Sequence, residues 1–308
     1  MKFGIIGAGA VGGYYGALLA KHGFEVHFLL RSDYAYVLEN GLMVESKDGN
    51  FTLEAVNAYC IAEDMPVCDV VIVALKTTQN HQLSTILPKV VKENGIVIAL
   101  QNGLDIEKDI SDIVPHATII GGLCFLCSNK VGPGHIRHLD YGSIRFGQFA
   151  SDGQAAGITE ELKMISDVFT KASVPVHLAD NLGKARWEKL VWNMGFNGLT
   201  VILNVTTDRI MNNEASLSLV KEIMFEVIKG ANACGYDLEE KFVDLMITAT
   251  RQMIDYSPSM KLDFEAGRPL EIDEIYWRPI HAAKKSGFDM HMSRVLAYEL
   301  EFINRLNK

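Results

Sequence analysis

The chain has 308 residues, 48% of them hydrophobic and 22% charged, the proportions of an ordinary globular protein long enough for two domains. Its 29 basic and 38 acidic residues leave a net charge of -9, which argues against nucleic acid or an anionic membrane surface as a partner. No apolar run approaches the length that spans a bilayer, and the first residues carry no leader pattern, so the expectation is a cytoplasmic protein.

The opening stretch, KFGIIG, reads as a strand, and residues 11–22 as a helix. Between them lies Gly7-Ala8-Gly9-Ala10-Val11-Gly12, a GxGxxG pattern. In a strand–turn–helix context Gly7 permits a tight turn, Gly9 lets a pyrophosphate approach the backbone, and Gly12 lets the helix pack closely on the strand. Backbone N–H groups at the helix start then face the phosphates. The second strand, EVHFLL, ends at Arg31, where an NAD site usually carries an acid for the ribose 2′-hydroxyl. A guanidinium suits the 2′-phosphate of NADP instead, although Asp33 is near enough to keep NAD open, and Arg31 also reads as a plain surface arginine.

Further strands are expected at CDVVIVAL, NGIVIAL and ATIIGGLCFL, with helices at 79–93 and 105–112. Near-continuous Val, Ile and Leu runs mark strands buried on both faces, hence a parallel sheet covered by helices. Two polar clusters sit where such strands end: Lys76 with Gln79, and Asn102 with Gly103. Either binds a ligand at the carboxyl ends of the strands, or simply starts a helix and makes a turn. The CFLC motif at 124–127 has no second Cys or His pair to complete a metal site, and a strand sends the two thiols to opposite faces, so both read as structural. The stretch 134–149, glycine-punctuated and alternating, reads as a hairpin closing the sheet, followed by a helix at 158–172 and a strand at VPVHLA.

Beyond about residue 180 strand patterns vanish. Helices are expected at 183–203, 214–234, 238–255, 271–286 and 292–306, which divides the chain into a dinucleotide-binding domain, 1–178, and an all-helical domain, 179–308. In the first of these helices Lys189, Asn193 and Asn197 recur every four residues, a stripe about 80° wide on one face. It reads equally as a snorkelling lysine with amides capping backbone, or as a proton donor with two hydrogen-bonding amides. Reduction of a carbonyl needs such a donor, because alkoxide character builds on the oxygen, and apolar surroundings lower a lysine pKa towards neutrality. Ser259, in a Pro-containing turn, and Glu271, at the start of the next helix, complete the list of polar candidates; an acid at a helix start is often there only for the dipole.

Together GxGxxG, Arg31, LKTTQ, QNG, WEKLVWNMGFNGLT and SPSMKLDFEAGRPLEID resemble the ketopantoate reductase family over essentially the whole chain. The resemblance implies an α/β Rossmann-type parallel sheet domain followed by an all-helical C-terminal domain, with the active site in the cleft between them. It implies NADPH as cofactor and a small-molecule 2-oxo acid as substrate. Lys189 then corresponds to the proton donor, Asn193 and Asn197 to substrate-binding asparagines, and Ser259 to a contact of the substrate carboxylate. Glu271 corresponds to an acid near cofactor and substrate, Asn102 to an asparagine shared by both, and Arg31, Lys76 and Gln79 to cofactor contacts. Two departures stand out: Tyr276 and Trp277 replace a common Asn-Gly, and Gly198 replaces the proline of NPLT. They leave another small oxo acid open as substrate, with a non-catalytic dinucleotide sensor as the remaining alternative. If Tyr276 and Trp277 are exposed, a homodimer through them is expected; if not, they belong to the core.

Overall fold

The computed structural model describes residues 1–253 and 257–306, which form two compact units: 1–101 with 106–182, and 102–105 with 183–308.

In the first unit, β1 (Lys2–Ile6) leads into α1 (Ala10–Lys21), then β2 (Glu25–Leu29), α2 (Tyr34–Asn40), β3 (Leu42–Ser46), β4 (Phe51–Leu53), β5 (Asn57–Tyr59) and β6 (Cys68–Val73). A 3-10 segment at Thr77–Gln82 precedes α3 (Leu83–Val90), followed by β7 (Val91–Ala99), α4 (Ile106–Ile113), β8 (Thr118–Gly132), β9 (His135–Gln148), α5 (Glu160–Lys171) and β10 (Val176–Ala179). One ten-stranded sheet runs β4-β3-β9-β8-β7-β6-β1-β2-β5, with β10 beside β9. The stretch β5-β2-β1-β6-β7-β8 is parallel throughout, and its chain order reverses between β1 and β6, as in doubly wound dinucleotide-binding folds. Successive residues explain the apolar runs: Phe3, Ile5, Val70 and Ile72 pack with α1 and α5 on one face, while Ile6, Val71 and Val73 pack with α3 and α4 on the other.

The second unit is helical: α6 (Leu182–Ile202), α7 (Thr207–Met211), α8 (Glu214–Ala233), α9 (Phe242–Gln252), α10 (Ser259–Glu265), a π-helical turn (Asp273–Trp277) running into α11 (Arg278–Lys285), and α12 (His291–Leu306). Its core joins Leu190, Val191 and Met194 of α6 to Val220 and Val227 of α8, Ile275 and Tyr276. Among the described residues, no helix is long and apolar enough to cross a membrane.

Several sequence expectations need correction. The expected parallel sheet is present as β5-β2-β1-β6-β7-β8, and the antiparallel pairs β8–β9 and β3–β4 extend it into a mixed one. The stretch 134–149 is not a hairpin in itself: it is the single strand β9, whose partner β8 precedes it, while its two ends pair in parallel with β3 and β10. The helix expected at 79–93 stops at Val90, since Val91 already pairs with Cys68 in the sheet. The helix expected from residue 238 begins at Phe242, because the Asn232 side chain both accepts from the Leu238 N–H (2.8 Å) and donates to its carbonyl (3.0 Å), holding that backbone in a loop. Its expected end, 254–255, lies outside the described residues.

The segment expected to be a helix from 271 opens with the π turn. Pro279 has no N–H for the carbonyl four residues back, and a widened turn ahead of it accommodates the ring. Ser259 opens the short helix α10 rather than lying in a turn, and Glu271 ends a loop one residue ahead of its helix. Tyr276 is fully buried and offers no surface for a dimer. In CFLC neither thiol forms a disulfide; β8 has register irregularities on either side of Leu126–Cys127, and burial, then the nearby Asp140, pushes the Cys127 thiol up to about 12.

Candidate active site

The register of the sheet assembles one group of candidates. Leu29, Ile6, Val73 and Ala99 are paired neighbours across β2-β1-β6-β7. The residues that follow each, Arg31, Gly7, Lys76 and Gln101, therefore leave the sheet along the same carboxyl edge. Gly7 and Lys76 flank the reversal point between β1 and β6, where doubly wound sheets open a crevice for ligands.

The three glycines of the fingerprint differ in what they require. Gly7 has φ +96°, and a Cβ there would lie 2.7 Å from the Leu75 backbone nitrogen. Gly12 is a packing glycine: its Cβ would stand 2.2 Å from the Gly7 carbonyl oxygen and 2.9 Å from the Ala74 Cβ. Gly9 has an ordinary φ of −82°, and nothing of the protein lies within 4 Å of where its Cβ would be. The protein itself does not demand glycine at position 9, so the space belongs to whatever docks on the loop. Gly9 is also the N-cap of α1, with no side-chain cap and no acidic residue in the first turn. The N–H groups of Ala10 and Val11 thus open a helix end that is favourable for an anion.

Arg31 is exposed just beyond β2, whereas Asp33 is buried and committed elsewhere. Its carboxylate accepts from Lys130 Nζ (2.6 Å), the Gly134 N–H (3.0 Å) and Ser32 Oγ (3.0 Å). Burial pushes the Asp33 carboxyl up, but Lys130, the Gly134 N–H and Ser32 together outweigh it and hold the group below the ordinary Asp value. Lys76 is half-buried at the start of the 3-10 segment; its carbonyl accepts from the Gln79 N–H at 2.8 Å, and the Gln79 side chain accepts from Gln82 at 2.7 Å.

Two residues escaped the sequence reading. Buried Gln101 donates to the Leu75 carbonyl (2.7 Å) and to Asn80 Oδ1 (2.6 Å), tying the ends of β6 and β7 together. Asn80 Nδ2 is buried without a hydrogen-bond partner, a donor left over for a ligand. Neither carries a charge, and within QNG it is Asn102 that drew a role, so only the chain crossing that pairs β6 with β7 reveals them.

In the second unit, α6 holds Lys189, Asn193 and Asn197 on one continuous helix. Lys189 is half-buried, while Asn193 and Asn197 are 6% and 1% exposed. Asn197 Oδ1 has no hydrogen-bond partner, an uncommon condition for a buried amide that a ligand donor would relieve. Ser259 is half-buried and Glu271 buried; their neighbours Met260, Leu270 and Ile272 belong to the same core as Leu190, Val191 and Met194 of α6. Asn102 is half-buried in the short segment that packs within this unit. There Gly103 (φ +104°) lies against Glu274, the Leu104 N–H donates to the Glu274 carbonyl at 3.0 Å, and Arg278 reaches the Leu104 carbonyl at 3.4 Å. Among the described residues, no group of three or more His, Cys, Asp or Glu is arranged to hold a metal ion.

Comparison with known proteins spans the same two parts. Residues 3–151 match the family described as ketopantoate reductase PanE/ApbA, and residues 181–304 match its C-terminal part. The 2-dehydropantoate 2-reductase of Nostoc sp. is 48% identical over 307 residues, covering 100% of this chain and 96% of the relative. A crystal structure of 2-dehydropantoate 2-reductase from Geobacter metallireducens GS-15 superposes with a TM-score of 0.93 at 40% identity, covering 98% of this chain and 99% of that one. D-mandelate dehydrogenase, in a ternary structure with NADH and anilino(oxo)acetate, shares the fold at 22% identity, with a TM-score of 0.89 over 100% of this chain and 99% of its own. A glycine loop at the switch point of a doubly wound sheet, a helical unit with a lysine–amide stripe and full-length identity of this order agree: the chain belongs to the ketopantoate reductase family.

Proposed function

We propose that this chain is an oxidoreductase that reduces 2-dehydropantoate to pantoate with NADPH. The observation that carries the reading is the pairing of a phosphate-ready glycine loop, open at Gly9, with an α6 stripe that includes a buried amide oxygen lacking a partner. A bound nicotinamide dinucleotide supplies a hydride to the ketone carbon. The chain's own residues handle charge, orientation and the proton.

As the carbon accepts the electron pair, the carbonyl oxygen gains alkoxide character. The Lys189 ammonium gives that oxygen a proton, leaving a neutral amine that water reprotonates, so the C=O becomes a CH–OH. Asn193 and Asn197 orient the substrate through amide hydrogen bonds that add no charge. Ser259 receives the substrate carboxylate, and Glu271 and Asn102 line the place where nicotinamide ribose and substrate are both held. Holding the ketone in line with the hydride donor removes much of the entropic barrier of a bimolecular step.

The cofactor preference follows from the end of β2. Arg31 offers a guanidinium fork for a 2′-phosphate, and Asp33, the acid that would favour NAD, is taken up by Lys130, Gly134 and Ser32. Gly7 to Gly12 hold the pyrophosphate, with Lys76 and Gln79 as further polar contacts.

The test is NADPH oxidation by the purified protein across a panel of small oxo acids. Highest kcat/KM with 2-dehydropantoate is expected. A second reading, another small 2-oxo acid as substrate, has the unusual Tyr276 and Gly198 in its favour, and a different best substrate in the same panel would establish it. Dinucleotide binding with no turnover of any oxo acid would sink both.

A further inference from the structure

Tyr276 and Gly198, one residue from each of the two departures noted in the sequence, meet. The Tyr276 hydroxyl accepts a hydrogen bond from the Gly198 N–H at 2.8 Å and donates one to the Met194 carbonyl at 3.0 Å. Residues 194 and 198 stand four apart, the pair that an unbroken α-helix bonds directly. The phenol oxygen is therefore set into the ladder of α6 on the very turn that carries Asn197.

Four further observations bear on this. A Cβ at position 198 would lie 2.4 Å from the Tyr276 oxygen and 3.0 Å from its ring, so only glycine leaves room for the phenol. A glycine inside a helix costs about 0.5–1 kcal/mol relative to alanine, a cost that helix stability alone gives no reason to bear. Tyr276 itself lies in the π turn five residues after Glu271, and π turns recur at functional sites. Finally, Asn197, whose Oδ1 is buried without a partner, directly precedes Gly198. Burial raises the Tyr276 hydroxyl well above the usual phenol value, outweighing the Gly198 bond, so it stays neutral and able both to donate and to accept.

We propose that Tyr276 and Gly198 act as a matched pair: Tyr276 is a positioning residue that sets the pitch of α6 at Asn197, and through Asn197 the fit of the oxo acid. This rests on the functional reading above, in which Asn197 contacts the substrate.

The experiment is a kinetic double-mutant cycle of Tyr276→Phe and Gly198→Ala, with Tm measured for every variant. Tyr276→Phe removes only the oxygen and lets the Gly198 N–H and Met194 carbonyl approach each other. It should raise KM for 2-dehydropantoate by about tenfold to a hundredfold, with the Kd for NADPH unchanged. Gly198→Ala, which displaces the phenol, should do the same, and the double variant should be no worse than the worse single one. Because Gly198→Ala also strains the core, the double variant, where the hydroxyl is gone, should recover part of its lost Tm. Exchanging both residues for the family's usual pair, Tyr276→Asn with Gly198→Pro, should outperform Gly198→Pro alone.

A Tyr276→Phe variant with wild-type KM and lowered Tm would make the pair structural only and overturn the proposal. So would fully multiplicative losses in the double variant. Failure of the functional reading shows separately, as wild-type protein that turns over no oxo acid.

Discussion

Lys130, on β8, holds the buried Asp33 carboxylate at 2.6 Å just beyond the end of β2, two residues from Arg31. The pair takes the acid nearest the expected adenosine ribose out of play and leaves Arg31 as the exposed charge there. Arg31→Ala should therefore weaken NADPH far more than NADH. With a charge-assisted pair to phosphate contributing about 1.5–3 kcal/mol, the NADPH Kd should rise roughly tenfold or more. Titration of both dinucleotides checks it, and equal losses would remove the 2′-phosphate role from Arg31.

The same ion pair gives a pH signature. Asp33 has its folded-state pKa below the unfolded value, so its stabilisation is fully present above the ordinary Asp range. It is lost as pH falls from that range through the depressed value, when the unfolded chain binds the proton more readily. Asp33→Asn should cost about 1–3 kcal/mol at neutral pH, and the gap from wild type should narrow in acid below about pH 4. Denaturant midpoints at several pH values measure it; a gap that stays constant into acid would contradict the assignment.

The glycine loop separates folding from binding. Gly12→Ala drives a Cβ into the Gly7 carbonyl and Ala74, so Tm should drop and dinucleotide affinity with it. Gly9→Ala meets no protein atom and should change stability by no more than about 1 kcal/mol, the scale of an N-cap substitution. Its NADPH affinity should nevertheless fall at least as far as that of Gly12→Ala. Thermal shift with and without NADPH reads both, and a Gly9→Ala protein that binds normally would show that nothing approaches the backbone there.

Lys189→Ala should lower kcat by about a hundredfold to ten-thousandfold, the usual weight of a positioned proton donor. NADPH affinity should stay near wild type, because Lys189 is assigned to the substrate carbonyl and not to the dinucleotide. Stopped-flow hydride transfer and equilibrium titration separate the two effects, and near-normal turnover would take the proton from Lys189.

Periodicity made much of this molecule legible. Apolar runs at VVIV and IVIA need burial on both faces, and only a parallel sheet between helices supplies that, so the layers of the first unit follow from local pattern. Four-residue spacing likewise puts Lys189, Asn193 and Asn197 on one helix without reference to anything else. The short elements β3, β4, β5, α7 and α10 were not legible, because three to seven residues hold too few periods to stand out. The strand β9 looked like a hairpin because its glycines mark bends, while its actual partners lie elsewhere in the chain.

By itself, then, the sequence determined the local chemistry: a loop only glycine can make, a lysine–amide stripe, strands that must be covered. Tertiary structure alone decided which groups remain available. Asp33 is claimed by a lysine 97 residues away, Asn80 is held through Gln101, and Tyr276 enters a helix 82 residues upstream. Hydrogen bonds between distant segments depend on where the chain crosses itself, and no window of neighbouring residues encodes that.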